Sequence, residues 1–177
     1  RHTIAREEQG TISRRMRALA VEISAGGRGR LALSQSEERA LLRIAEEANR
    51  LRAANEGEAD AVETLARDAI LMAKCAQQAR RESVRRLPKC GRETRVQAVA
   101  RRAIGSGSEK IDREALMLAV ASFDDVQALE MAEIWAFPEA ARICVCRAYR
   151  IAAENALAIP AQALQRGNVV YVQDDSV

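Results

Sequence analysis

Apolar residues recur along this chain at alternating spacings of three and four, and that periodicity limits the fold more than any other feature. Ile12, Met16, Leu19 and Ile23 form one such stripe within Thr3–Ser24. Leu41, Ile44, Ala48 and Leu51 form a second, and Val62, Leu65, Ala69, Met72 and Ala76 a third that runs to about Arg86. Val96, Val99, Ala100 and Ala103 mark a fourth helix, and Phe137, Ala141, Cys144, Ala148 and Ile151 a last one through Glu139–Asn155. Each interval returns a side chain to the same helical face, whereas a half-buried strand requires strict alternation.

The breaks between stripes carry their own signals. Ala25–Gly29 is glycine-rich and ends the first helix, because glycine tolerates the dihedrals of a tight exit. Ser34 and Glu37 have the spacing of a capping box, and Gly57 closes the second helix or the turn after it. Pro88 has no N–H and biases Leu87 away from helical geometry, so a turn is expected over Leu87–Gly91. The fourth helix stops at Gly105-Ser106-Gly107-Ser108. Asp112 is the expected N-cap of a fifth helix, with Glu114 in its first turn, where a negative charge suits the dipole. Pro138 either kinks the last helix or occupies the first turn of a new one.

The expected fold is therefore all-α, an antiparallel multi-helix bundle of about six helices with short loops. One helical domain is expected over 1–166, with N-terminal helices in 1–56, and a tail over 167–177 that contains the strand-like run Asn168–Val172. Only 3% of the 177 residues are aromatic and much of the apolar content is alanine, so the helices must pack closely through small side chains. The start at Arg1, with neither methionine nor signal-peptide run, reads as a domain of something longer.

The inventory of reactive groups argues against chemistry in this chain. There is no phosphate-cradling glycine loop, and a serine triad has no base beyond His2. Asp124-Asp125 and Asp174-Asp175 read as ordinary solvated charges. Cys75, Cys90, Cys144 and Cys146 form no CxxC, and Cys144 and Cys146 point about 200° apart on a helix. They read as reduced, structural thiols in a cytoplasmic compartment. No catalytic residue, metal or cofactor is assigned, and the chain is not expected to be an enzyme. No apolar run is long enough to span a bilayer.

With 28 basic and 25 acidic residues, the net charge is only +3. Residues 80–102 are nevertheless strongly basic. An anion-binding face would draw on Arg81, Arg85, Arg86, Lys89 and Arg92, and its partners would be anionic lipid, nucleic acid or an acidic protein surface. A solvated face with arginine stems lying over neighbouring helices accounts for the same residues without a ligand. The stretch has no aromatic side chain for base stacking, which disfavours nucleic acid. Trp135, the only tryptophan, is expected to be a core anchor, with a sugar-stacking platform as the other use.

Several landmarks agree in order with one family. Leu129–Pro138, which includes Glu133, Trp135 and Pro138, followed by Arg142-Ile143, resembles a helical segment of the cyclic β-1,2-glucan synthases. Arg86-Leu87-Pro88-Lys89, Arg95-Val96 and Ile111-Asp112-Arg113-Glu114 are similar to that family's upstream landmarks. The match covers about 63–152, within a region of resemblance taken as 57–166. Thr64 and Ala128 depart from it, standing where the family carries tryptophan and proline.

The resemblance implies a large inner-membrane glycosyltransferase that polymerises glucose from UDP-glucose and closes it into a ring. The segment would be a scaffold or accessory domain outside the catalytic domains, packing through Trp135–Pro138 at the cytoplasmic face. Its partners would be the other domains of a parent polypeptide, with contact to glucan or to an anionic membrane surface as further uses. The alternative is a free-standing helical interaction module that works through the basic 80–102 face.

Overall fold

In a computed structural model, the chain forms six helices and three very short strands among the described residues, which are 6–31, 34–54, 59–82, 86–105 and 113–157. Their order is α1 (Arg6–Glu22), β1 (Arg28–Gly29), α2 (Gln35–Ala54), α3 (Ala59–Glu82), β2 (Leu87–Cys90), β3 (Glu93–Thr94), α4 (Arg95–Ile104), α5 (Arg113–Asp124) and α6 (Met131–Ala156). The all-α expectation holds. His2, Gly57, Arg85, Asp112, the Asn168–Val172 run and Asp174-Asp175 lie outside the described residues. Among the described residues, no helix is long and apolar enough to cross a membrane.

The chain divides into two compact units, each assembled from separate segments: Arg1–Leu33 with Gln78–Val145, and Ser34–Gln77 with Cys146–Val177. That division does not follow the 56/57 boundary suggested by the sequence. α3 and α6 each contribute residues to both units.

The first unit has its core where α1, α4 and α5 meet. Ile12, Met16 and Leu19 of the first stripe are buried there, against Val99, Ala119, Phe123 and Leu129, with Ile23 and Phe137 at the edge. α4 starts at a capping box that the sequence reading missed. The Thr94 side chain accepts from the Gln97 backbone N–H, and the Gln97 side chain accepts from the Thr94 N–H at 3.2 Å. Every residue from Thr94 to Ala100 is buried, so the start of α4 is enclosed on all sides.

The segment expected to be a turn contains a strand. Leu87–Cys90 pairs antiparallel with Arg28–Gly29 on one side and with Glu93–Thr94 on the other. Gly91, at φ +60°, then makes the tight reversal. Pro88 is tolerated within this strand for a geometric reason. The backbone of Lys89 faces the β1 side, donating to Gly27 O at 3.1 Å and accepting from Gly26 N at 2.7 Å. Backbone groups alternate in direction along a strand, so the N–H that Pro88 lacks would point towards β3. β3 has already ended there, since its pairing covers only Lys89 and Cys90. The bond that proline cannot make is not required.

In the second unit, the capping box at the start of α2 forms as expected. Ser34 N donates to Glu37 Oε2 at 3.0 Å, and Glu37 N donates to Ser34 Oγ at 3.3 Å. Leu41, Ile44 and Ala48 are buried and Leu51 is half-buried. The buried face of α3 is shifted from the expected one. Ala66, Ala69, Ala73 and Ala76 are buried, while Val62, Leu65 and Met72 flank them half-exposed.

The reason is close approach by α6. Tyr149 Oη donates to Leu65 O at 2.8 Å and Cys146 Sγ to Met72 O at 3.4 Å, so side chains of α6 reach the backbone of α3 directly. Larger residues at the alanine positions would hold the helices too far apart for either bond. The stripe expected on α6 is also corrected: Cys144 is buried, but Ala148 and Ile151 are exposed. Pro138 lies inside this continuous helix rather than in its first turn. It is exposed, so the Ile134 carbonyl that loses its donor sits on the solvent side.

Two outcomes follow for the second unit. Ala69→Leu, at a fully buried position, should destabilise the chain by about 1–3 kcal/mol, read from chemical denaturation. Burial raises the Glu37 carboxyl, but hydrogen bonds from Arg147 and the Ser34 backbone, with the charges of Arg147 and Arg150, lower it below its ordinary value overall. A lowered folded-state pKa stabilises the fold above about pH 4.3, the unfolded glutamate value, and that contribution is lost as the pH falls through the folded one. Glu37→Gln should therefore lower the melting temperature at pH 7 and make it less sensitive to acid between about pH 5 and 3 than in the unaltered chain.

Candidate functional site

Arg95, Glu133 and the residues around Leu87 and Glu130 meet at one joint in the first unit. Arg95 is the first residue of α4 and Glu133 lies in the first turn of α6, 38 positions apart in sequence. Their side chains form a two-point ion pair, Nε to Oε1 at 3.0 Å and Nη2 to Oε2. The side chains are only 7% and 0% exposed. Arg95 also donates to Ala128 O at 3.1 Å, and Glu133 Oε2 accepts from the Glu130 N–H at 2.9 Å. Asp124 receives the Leu129 N–H at 2.7 Å. The loop between α5 and α6 is thus tied down at its start, its middle and its end.

A second arginine extends the joint to the strands. Arg28 in β1 grips both Glu130 oxygens, at 3.2 and 2.7 Å, and donates from Nη2 to Arg86 O at 3.3 Å. Leu87 and Pro88 follow directly and are buried. Leu87, Pro88 and Glu133 are therefore interior residues, joined by partners that the spacing did not reveal. The Arg95 pKa is raised, chiefly by the hydrogen bond to Glu133, against the opposing effect of burial. Charges paired and enclosed in this way hold the structure together and offer no open face to a substrate.

Among the described residues, several cations of the basic segment are paired with carboxylates. Arg95 is consumed in the buried pair, Arg101 pairs with Glu93 at 2.5 Å, and Arg102 pairs with Glu22 at 3.5 Å. The hydrogen bond to Glu93 also raises the Arg101 pKa. Of the candidates, Arg81, Arg86 and Arg92 are exposed and Lys89 is half-buried, with its stem lying over Gly29. Arg86 and Arg92 stand at opposite ends of β2, separated by roughly 13 Å of strand at 3.3 Å per residue. One phosphate cannot reach both.

The other candidate groups are also structural. Asp124 serves as a cap, and Asp125 faces Arg17 at 3.8 Å. All four cysteines are free thiols. Burial, followed by the charge of Glu93, raises the Cys90 pKa and keeps it a poor nucleophile. Cys144 points to Gln97 O at 3.7 Å. An open groove of about 520 Å³ on α2 and α3 is lined by Glu63, Asp68, Ile70 and Leu71 among others. Its carboxylates face arginines, Glu63 with Arg52 at 3.1 Å and Asp68 with Arg67 at 3.8 Å. No group of three or more potential metal ligands is found among the described residues.

Trp135 overturns the expectation of a core anchor. It is 64% exposed on α6, and Pro138 and Arg142 are exposed beside it, Arg142 pairing with Glu139 at 3.2 Å. The inner face of this part of α6 is supplied instead by Glu133, Ala140 and Ile143, each fully buried. A sequence signal for this existed: Met131, Ile134, Trp135 and Pro138 form a second stripe at helical spacing, on the side opposite the buried face. No protein-family model, curated protein or solved structure matches this chain.

Removing one member of the buried pair leaves an uncompensated charge, so Glu133→Ala should cost about 3–5 kcal/mol. The double variant Arg95→Met/Glu133→Leu, which replaces charge with apolar volume, should recover more than half of that loss. Urea denaturation of the three proteins checks both statements, and an undiminished loss in the double variant would contradict the account.

Proposed function

We propose that this chain is a non-catalytic helical scaffold or accessory domain of a glycosyltransferase resembling the cyclic β-1,2-glucan synthases. The observation that carries this reading is the joint at Arg95 and Glu133. The landmarks of the resemblance, Leu87-Pro88, Arg95-Val96 and Leu129–Glu133, are separate in sequence and adjoin one another through hydrogen bonds and strand pairing. A motif used for catalysis would direct such groups into an open cleft, whereas here they are spent on fixing helix ends and a loop. In this reading the domain orients the catalytic domains of a parent protein at the cytoplasmic face of the inner membrane. Glucan contact would fall to exposed groups such as Trp135.

The alternative, an interaction module binding anions through the 80–102 face, has less support. Three of its cations are paired with carboxylates, and Arg86 and Arg92 stand at opposite ends of β2.

The isolated chain should neither hydrolyse nor transfer glucose from UDP-glucose, measured as UDP release. Turnover above the buffer rate would overturn the non-catalytic assignment. The reading frame on either side of the chain should encode membrane-spanning segments and a glycosyltransferase domain, and stop codons at both ends would remove the parent enzyme.

A further inference from the structure

The open groove of the second unit runs along α3 beside α2. Glu63, Ala66, Ile70 and Lys74 line it at spacings of three, four and four, which places them on one face of α3. Asn49 lines it from α2. Seven residues earlier on the same face of α2, Leu42 is exposed. Polar bridges between the two helices stand at either end of this stretch, Arg52 to Glu63 at 3.1 Å and Gln77 to Glu38 at 3.4 Å. The floor between them is apolar. Ala66 is buried, and Ile70 and Leu71 are 40% and 52% exposed. From Glu63 to Lys74 it extends about 16 Å, at 1.5 Å per helical residue.

The charges of the lining select an occupant. Both carboxylates face arginines, Glu63 with Arg52 and Asp68 with Arg67. Lys74 is exposed and makes no ion pair or hydrogen bond among the described residues. One positive charge therefore stands unbalanced at the end of the apolar floor, one turn beyond Ile70. A ligand that suits both features has an unbranched apolar chain and a single negative head. A cationic head would be repelled by Lys74, and a neutral one would leave the ammonium with water as its partner. A protein partner fits less well, because a standard interface covers roughly 800 Å² on each side. The volume of about 520 Å³ falls within the roughly 300–1,000 Å³ of small-molecule sites.

We propose that this groove binds the anion of a medium-chain carboxylic acid, with the alkyl chain over Ala66, Ile70 and Leu71 and the carboxylate on Lys74. The head contact is a charge-assisted hydrogen bond from the ammonium. This inference goes beyond the scaffold reading and does not depend on it. The groove is open to solvent, so the ligand stays partly in water and binds weakly, with a Kd on the order of 1 mM for about ten heavy atoms.

Titration of octanoate into the isotope-labelled whole chain, followed by amide NMR, should shift the resonances of residues 66–74 and saturate as a single site. Lys74→Met keeps the length of the side chain without its charge and should weaken binding about tenfold, whereas Lys74→Arg should stay within about threefold. Ile70→Ser should weaken it about fivefold through lost apolar contact. Lys74 and Ile70 are both exposed, so the variants should keep the melting temperature of the unaltered chain. If Ile70→Ser fails to fold, the comparison of Lys74→Met with Lys74→Arg decides alone. Octanol should bind about tenfold more weakly than octanoate, and octyltrimethylammonium should not bind.

Raising the salt concentration should weaken octanoate and leave octanol unchanged. Shifts that scatter over the chain without saturating, or no response at about ten times the expected Kd, would overturn the proposal. Equal affinity in Lys74→Met, or octanol binding as tightly as octanoate, would also overturn it and leave the groove as bare apolar surface.

Discussion

The buried pair between Arg95 and Glu133 is the interaction on which the first unit depends. Taking two charges out of water costs several kcal/mol each, and their attraction compensates only when geometry is good and further hydrogen bonds complete the set. Both conditions are met, because the contact is two-pronged and each side chain also binds a backbone group. What the pair secures is placement. A cation at the first position of a helix opposes the dipole, so α4 tolerates Arg95 there only while Glu133 is opposite. Glu133 in turn suits the first turn of α6 and caps it by accepting from Glu130. Each residue makes the other's position acceptable, and the start of α4, the start of α6 and the preceding loop are fixed as one object.

From this joint the surrounding structure follows with few free choices. Arg28 hands the connection on from Glu130 to the backbone before β2, which explains a three-stranded patch of very short strands in a helical chain. Two- and four-residue strands do not hold themselves in place. Here they are flanked by α4, whose capping box begins at the last residue of β3, and by the Arg28 contacts. The second unit is built on a different principle. Its alanine face on α3 lets α6 donate hydrogen bonds into the backbone, which compensates for a chain with few aromatic residues to fill volume.

The helices were legible because their signals are local. The first stripe at Ile12, Met16 and Leu19 and the capping box at Ser34 and Glu37 depend on residues within one or two turns of each other. What escaped the sequence reading depends on distance. The strand at Leu87–Cys90 is completed on one side by residues nearly sixty positions earlier, and proline points to a turn. Residue type alone places Trp135 in the interior, yet the inward position of that turn belongs to Glu133. A glutamate fully inside cannot be anticipated without knowing its arginine. On α3 and α6 the period is legible but the buried face is not, because size points to the large residues while the close approach of two backbones favours alanine.

The segmental make-up of the two units has a consequence for how the chain is made. α2 and the first part of α3 are complete by Gln77, but the α6 residues that belong with them begin at Cys146. During synthesis from the N-terminus at about 5–20 residues per second, the alanine face of α3 therefore waits roughly 3–16 s for its partner. The first unit has a similar wait, for its opening segment ends before α2 begins. A ribosome-bound intermediate holding these faces uncovered would be a natural client for a chaperone that binds apolar helical surface.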